Sequence, residues 1–277
     1  MVEFFEHIPS YYRTAILVAG LVILWILEGA IPRLRFSGNK YRHAGTNLFF
    51  TLTTAVVNLG FAFLIVKASD FTTEKQFGLL YLIQLPLWLH AVIAIMMMDF
   101  IGAYLVHFIQ HKVTWMWHFH KVHHMDTAVD ATTALRHHPV ECLFRVGALL
   151  TAILLTGIPI WMVMFYQSVS ALMSQFNHAN IHLPHWADRA LSWIIVSPDM
   201  HKVHHSRHQP ETDSNYANIF SVWDRLFGTF VTVKDTTGLR YGLDEYQDER
   251  YRQIGALLKT PWEDVPVPEK QAGFQQQ

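Results

Sequence analysis

Residues 143–176 read LFRVGALLTAILLTGIPIWMVMFYQSVSALMSQF, and how this run divides decides the fold. It is too long for one membrane crossing, which takes about 20 residues. Gly157 and Pro159 fall near its middle, where proline removes a helical hydrogen bond and collides with the preceding turn. The run therefore predicts two short helices forming a hairpin that dips into a bilayer or spans it thinly. The flanking histidines ask for the same path. Those at His107 to His124 and those at His178 to His205 can share a site only if the chain returns to the side it left. A single crossing would separate them by the bilayer.

Three further apolar runs precede the hairpin. Thr14 to Ile31 is interrupted only by Glu28, Thr46 to Val66 has Asn58 as its most polar member, and Leu79 to Val106 carries Pro86, His90 and Asp99. Each is near the length of a spanning helix. The first has no small-residue cleavage site and is followed by another span, so it reads as an anchor and not as a cleaved signal. At 51% hydrophobic and 14% aromatic residues, with mean hydropathy +0.18, the chain is too apolar for an ordinary soluble domain. A net charge of −1 gives no electrostatic case for nucleic acid. The lone cysteine, Cys142, excludes an internal disulfide and fits a reduced, cytoplasm-facing setting as a packed core thiol.

Positive charge sets the expected orientation. Arg33, Arg35, Lys40 and Arg42 follow the first span, whereas the next link has Lys67 and Lys75, offset by Asp70 and Glu74. Arginine and lysine excess marks the cytoplasmic side, so the N-terminus is expected outside and every histidine motif inside. The expectation is an all-α integral-membrane bundle of about four membrane helical units, three spans plus the hairpin, with a cytosolic histidine-rich metal-binding cap. Residues 230–246 read as an extended or turn-rich segment capping the soluble part. Residues 1–262 form one domain, and the proline-, glutamate- and glutamine-rich end, 263–277, reads as a flexible tail.

The chemistry is written in a repeat: HKVHH at His120–His124 and again at His201–His205. On a helix, positions i, i+3 and i+4 share a face, so each copy points three imidazoles one way. His107 and His111 add an i, i+4 pair. With 18 histidines in the chain, one His-x-x-His-His arises by chance in roughly one such chain in ten or twenty, and two in very few. Imidazole is the commonest metal ligand, and eight are too many for one ion. A two-metal centre accounts for the count. The donors suit iron, copper, zinc or nickel, and the His-Glu-x-x-His protease signature is absent. Neutral ligands leave the ions uncompensated, so carboxylates are expected to accept the remaining ring N–H groups; Asp99, Asp126 and Asp199 are the candidates by sequence distance. A membrane haem protein with facing axial histidines, and a metal transporter or sensor, are rival readings.

His107-x-x-x-His111, Trp117-x-x-His120-x-x-His123-His124, Arg136-x-His138-Pro139-x-Glu141, Asn177-His178-Ala179-Asn180, Pro198-Asp199-x-His201-x-x-His204-His205 and Trp223-Asp224-Arg225-Leu226-Phe227-Gly228-Thr229 resemble the fatty acid hydroxylase/sterol desaturase superfamily. The resemblance covers about residues 91–229. It implies a catalytic core there and a non-haem centre of two iron ions that uses O2 and two electrons to hydroxylate, or desaturate, a lipid at an unactivated C–H bond. It implies His107, His111, His120, His123, His124, His201, His204 and His205 as ligands, with His178 as a further one and His182 as its i+4 companion. His138 is implied as a ligand or as a donor behind one. Trp223 to Thr229 would form a lid beneath the site, supported by Tyr216 and Asn218. Sterols, fatty acyl chains, ether lipids and carotenoids are the implied substrates. No flavin or nicotinamide fingerprint is visible, so a separate reductant is expected: a ferredoxin, a small haem protein or a pterin.

Overall fold

A computed structural model describes residues 10–36 and 38–263; the expected tail at 264–277 lies outside them. The chain is helical, and among the described residues strand geometry is limited to three isolated bridges. Three helices among the described residues are long and apolar enough to cross a membrane. The first is α1 (Ser10–Ala30). The second, α2 (Lys40–Glu74), starts at Asn39, whose side chain accepts from the Arg42 N–H. The third runs from Leu87 to Lys112 as α3 (Leu87–Asp99), a six-residue π-helical turn at Phe100–Leu105, and α4 (Val106–Lys112). Such widened turns are frequent at functional sites, and this one delivers His107.

The third span begins later than the sequence suggests. Leu79–Tyr81 forms a single tight turn, and Pro86, with no N–H to donate, precedes the first residue of α3. Apolar residues such as Leu52, Val56 and Phe63 are largely exposed on the outer face of α2, as a lipid-facing surface requires.

The hairpin forms as α6 (Glu141–Thr156) and α7 (Ile160–His178). Gly157 ends α6 in the left-handed conformation at φ 81°, which a residue without Cβ adopts freely. The turn reaches the end of the bundle remote from the histidines. A Cβ on Gly78 would lie 2.5 Å from the Gly157 nitrogen, and one on Gly157 would lie 2.4 Å from the Phe77 carbonyl oxygen. Met98, Ile101, Ile153, Met162 and Tyr166 form the main core between the third span and the hairpin.

The cap closes the opposite end. It carries α5 (Thr114–His124), α8 (His185–Leu191), α9 (Pro198–His204), α10 (Val222–Leu226) and α11 (Ile254–Lys259). Residues 230–246 are irregular with single turns at Thr236–Gly238 and Asp244–Tyr246. Glu28, buried at the end of α1, accepts from the Ala131 and Asn180 N–H groups and from Lys40 Nζ. Arg33 pairs with Asp199 at 2.6 Å. The arginine-rich link and the histidine cap therefore share one end of the bundle.

Candidate metal centre

The imidazoles converge as two groups. Ring nitrogens of His107, His111, His120, His124 and His204 all lie within 4.8 Å of one another, and so do those of His123, His178, His201 and His205. Each repeat is split between them. The first copy gives its i and i+4 residues to the five-membered group and its i+3 residue to the other; the second copy does the reverse. The expectation that each copy points one way is corrected by helix geometry. With about 100° per residue, i and i+4 lie about 40° apart while i+3 lies about 60° off on the other side. The lysine inside each repeat is buried and turns away from the rings, Lys121 to the Tyr246 hydroxyl at 2.7 Å and Lys202 to the Ala179 carbonyl.

Five of the nine rings are oriented by a partner at Nδ1. His107 donates to the Tyr216 carbonyl at 2.8 Å, His204 to the Ser214 carbonyl at 2.7 Å, and His178 to the Ser174 carbonyl at 2.7 Å. His120 donates to Glu141 at 3.0 Å and His111 to Asp213 at 3.2 Å. A proton on Nδ1 leaves a lone pair on Nε2.

The consequence is a strong test of what fits. His107 and His120 both use Nδ1 as donor, yet their Nε2 atoms are 3.1 Å apart. The same 3.0–3.2 Å approach recurs between His111 and His124, His178 and His123, His178 and His201, and His178 and His205. Two acceptor lone pairs facing each other repel unless a cation lies between them. Donors at about 2.1 Å from one ion, at right angles, lie about 3.0 Å apart. The residues fit a pair of imidazole-bound metal ions. Burial, reinforced by neighbouring imidazoles, holds His120, His123, His124, His201 and His205 well below the usual histidine pKa; burial brings His204 to about 4 against the opposing pull of the Ser214 carbonyl and Asp213. The cap rings are thus neutral and able to ligate at pH 7.

The other sequence candidates sit elsewhere. His182 is exposed and belongs to neither group: α7 ends at His178, so the i, i+4 relation that a helix would create is lost. Asp126 accepts from His43 and Thr133, and Asp199 pairs with Arg33 and Thr236. Asp99 accepts from the Ile219 and Phe220 N–H groups and the Trp223 indole. His138 contacts the Leu258 carbonyl and the Val140 N–H. None of these four touches a ring of either group. The orienting carboxylates are Glu141 and Asp213, which sequence distance does not reveal; Glu141 was visible only as part of the Arg-x-His-Pro-x-Glu pattern. In the Trp223 to Thr229 segment, Asp224 accepts from the Tyr216 and Ala217 N–H groups, which places the Tyr216 ring against His107, His111 and His204. Asn218 donates to the Ser170 carbonyl.

A cavity of about 730 Å³ leads away from the rings. His107, His123, His178 and His201 line it together with Arg145 and Gln167 and with Arg13, Leu59 and Met164 from α1, α2 and α7. Leu59 is largely exposed on α2, so the cavity opens sideways, toward the surface that a bilayer would cover.

The fatty acid hydroxylase family model matches residues 91–229. The ornithine lipid hydroxylase OlsE of Rhizobium tropici is 27% identical over 147 residues, 53% of this chain and 43% of that protein. The alkylglycerol monooxygenase of Homo sapiens is 27% identical over 279 residues, 93% of this chain and 57% of that protein. Cholesterol 25-hydroxylase of Homo sapiens is 28% identical over 156 residues, 54% of each chain. The chain thus spans about half the length of these curated relatives. No solved structure matches it. Half of the sequence, including every helix that carries a ring of the two histidine groups, falls within the matched region, and the chain belongs to the fatty acid hydroxylase family.

Proposed function

We propose that this chain is a membrane-bound oxygenase that uses two iron ions and O2 to hydroxylate an unactivated C–H bond of a lipid. The observation that carries the reading is the pair of buried imidazole groups, four of whose rings line a cavity shared with Leu59 on the exposed outer face of α2. His107, His111, His120, His124 and His204 would hold one ion, and His123, His178, His201 and His205 the other. The irons supply O2 activation, which no side chain can perform. The protein's own residues do the rest. Glu141, Asp213 and three backbone carbonyls fix the rings before any ion arrives, Tyr216 and Trp117 shield them from water, and the cavity wall presents one carbon of the lipid.

Haem ligation fits the geometry poorly, because neighbouring ring centroids lie 4.3–5.2 Å apart within each group, too close to admit a macrocycle. The arginine-rich link beside the cap supports a centre on the cytoplasmic side, and residues 1–262 are read as one domain. Electrons would come from a separate ferredoxin, small haem protein or pterin. The test uses the full chain in lipid nanodiscs, with iron analysis and mass spectrometry of a lipid extract after exposure to O2 and reductant. A product heavier by one oxygen supports the proposal. A product lacking two hydrogens assigns desaturation instead, and bound iron without an O2-dependent product overturns both.

A further inference from the structure

The third span, 26 residues from Leu87 to Lys112, is about 39 Å long, longer than a hydrocarbon core of about 30 Å. Asp99 stands at its midpoint, about 18 Å from Leu87. The Ile219 N–H, the Phe220 N–H and the Trp223 indole are all bound to Asp99, so the cap chain descends beside the helix to that depth. A second count agrees. Asn218 donates to Ser170, the eleventh residue of α7, about 15 Å above the start of that helix near the remote turn. Both measures put residues 218–223 well below the level at which α1 and α2 leave the membrane.

We infer that residues 216–227 are sunk into the leaflet on the cap side, with Val222, Leu226 and Phe227, joined by Trp193 and Ile194, facing lipid. Non-helical backbone survives at membrane depth only when its polar groups are satisfied by protein, and here two buried carboxylates do so. Asp99 takes the N–H groups of Ile219 and Phe220, and Asp224 takes those of Tyr216 and Ala217. The Ser221 N–H reaches the Ile194 carbonyl and the Val196 N–H the Ile219 carbonyl, which brings Trp193 and Ile194 to the same level. Residues 216–223, YANIFSVW, contain no charge. The outer side chains are exposed, Leu226 to 67% and Ile194 to 69%, and Phe227 stacks on Phe100 of the third span, so the patch continues that helix's own lipid-facing surface. Arg225 lies between the Trp193 and Phe230 rings and donates to the Ser192 carbonyl, the arrangement by which a cation reaches headgroups from a buried stem. The inner side of the same loop, Tyr216 to Asn218, walls the cavity at His107 and His201, so this segment is the partition between bilayer and metal centre.

The experiment places an environment-sensitive fluorophore on Leu226→Cys and, separately, Ile194→Cys in the full chain reconstituted in nanodiscs. Both side chains are exposed, so the substitutions leave packing intact. Val56→Cys, on the outer face of α2, is the lipid standard and Lys234→Cys the aqueous one. We expect both labels to be quenched by nitroxide on lipid acyl chains as strongly as the Val56 label and to be protected from aqueous iodide. Labels quenched by iodide like that at Lys234, with no loss of fluorescence to acyl-chain nitroxide, would overturn the inference. The readout involves neither iron nor turnover, so it fails or holds independently of the proposed reaction.

Discussion

Glu141 accepts the Nδ1 proton of His120 across 3.0 Å with both side chains buried, and the same carboxylate pairs with Arg145 at 2.9 Å. One side chain therefore fixes the tautomer of a clustered imidazole and anchors a cation that lines the cavity. Partners of this kind are worth about 10–100-fold in metal affinity. Glu141→Ala is expected to weaken metal binding by that factor, and Glu141→Gln, which keeps an acceptor oxygen, by less. Competition with a chelator of known affinity measures both.

The crossed division of the repeats predicts an unusual coupling pattern. His204 shares a group with His120 and His107, not with His201 three residues away. Residues acting on one site show coupling of about 0.5–3 kcal/mol, and independent sites add. A double-mutant cycle on metal affinity should thus give a larger coupling for His204 with His120 than for His204 with His201. The reverse order would mean that each repeat serves its own ion.

Acidification should loosen the metal-free cap. The cap imidazoles have folded pKa values below their unfolded values, with His204 at about 4. Between pH about 6.5 and that value the unfolded chain binds more protons than the folded one, so stability rises with pH there. The full benefit is present above pH about 6.5 and is lost on going down through 4, at up to about 1.4 kcal/mol per pH unit for each ring. Thermal unfolding of apoprotein from pH 7.5 to 4.5 should show this fall, and bound metal should flatten it.

Asp99 is expected to matter for stability. Replacing it with alanine orphans two backbone N–H groups and an indole in a buried setting, at about 1–3 kcal/mol for each donor. Asp99→Ala should lower the melting temperature strongly, while Asp99→Asn, which retains one acceptor oxygen, should do so less. An unchanged melting temperature in the alanine variant would remove this role.

His182→Ala is expected to leave metal content and turnover unchanged, because the side chain is exposed and outside both groups. His178→Ala should abolish activity, since His178 Nε2 approaches His123, His201 and His205 at 3.0–3.2 Å. Metal analysis and lipid turnover on the two variants, prepared side by side, decide this.

The histidine repeats, the three apolar spans and the hairpin at Gly157–Pro159 are legible because each is a local pattern: helical spacing, a run length, a helix-breaking pair. The partners of the rings are not. Asp126 and Asp199 lie two residues from a clustered histidine, yet Asp126 sits past the end of α5 and turns to His43, while Asp199, in the first turn of α9, points to Arg33. Tyr216 and Ser214 contribute through backbone carbonyls, which every residue possesses and no side-chain pattern marks. Asp99 stands out in the sequence by its place inside an apolar run, but its partners are 120 to 124 residues away, and only the folded chain shows that it serves a loop instead of an imidazole.

The contact between Gly78 and Gly157 has a reach beyond its own turn. Because the two backbones meet there without room for a side chain, a single methyl at either position would act as a shim under α7. That helix is a stiff rod about 28 Å long with His178 at its far tip. Lifting its foot by an ångström would unseat the nitrogen that three other rings surround, so the tuning of the centre begins on the opposite face of the bundle.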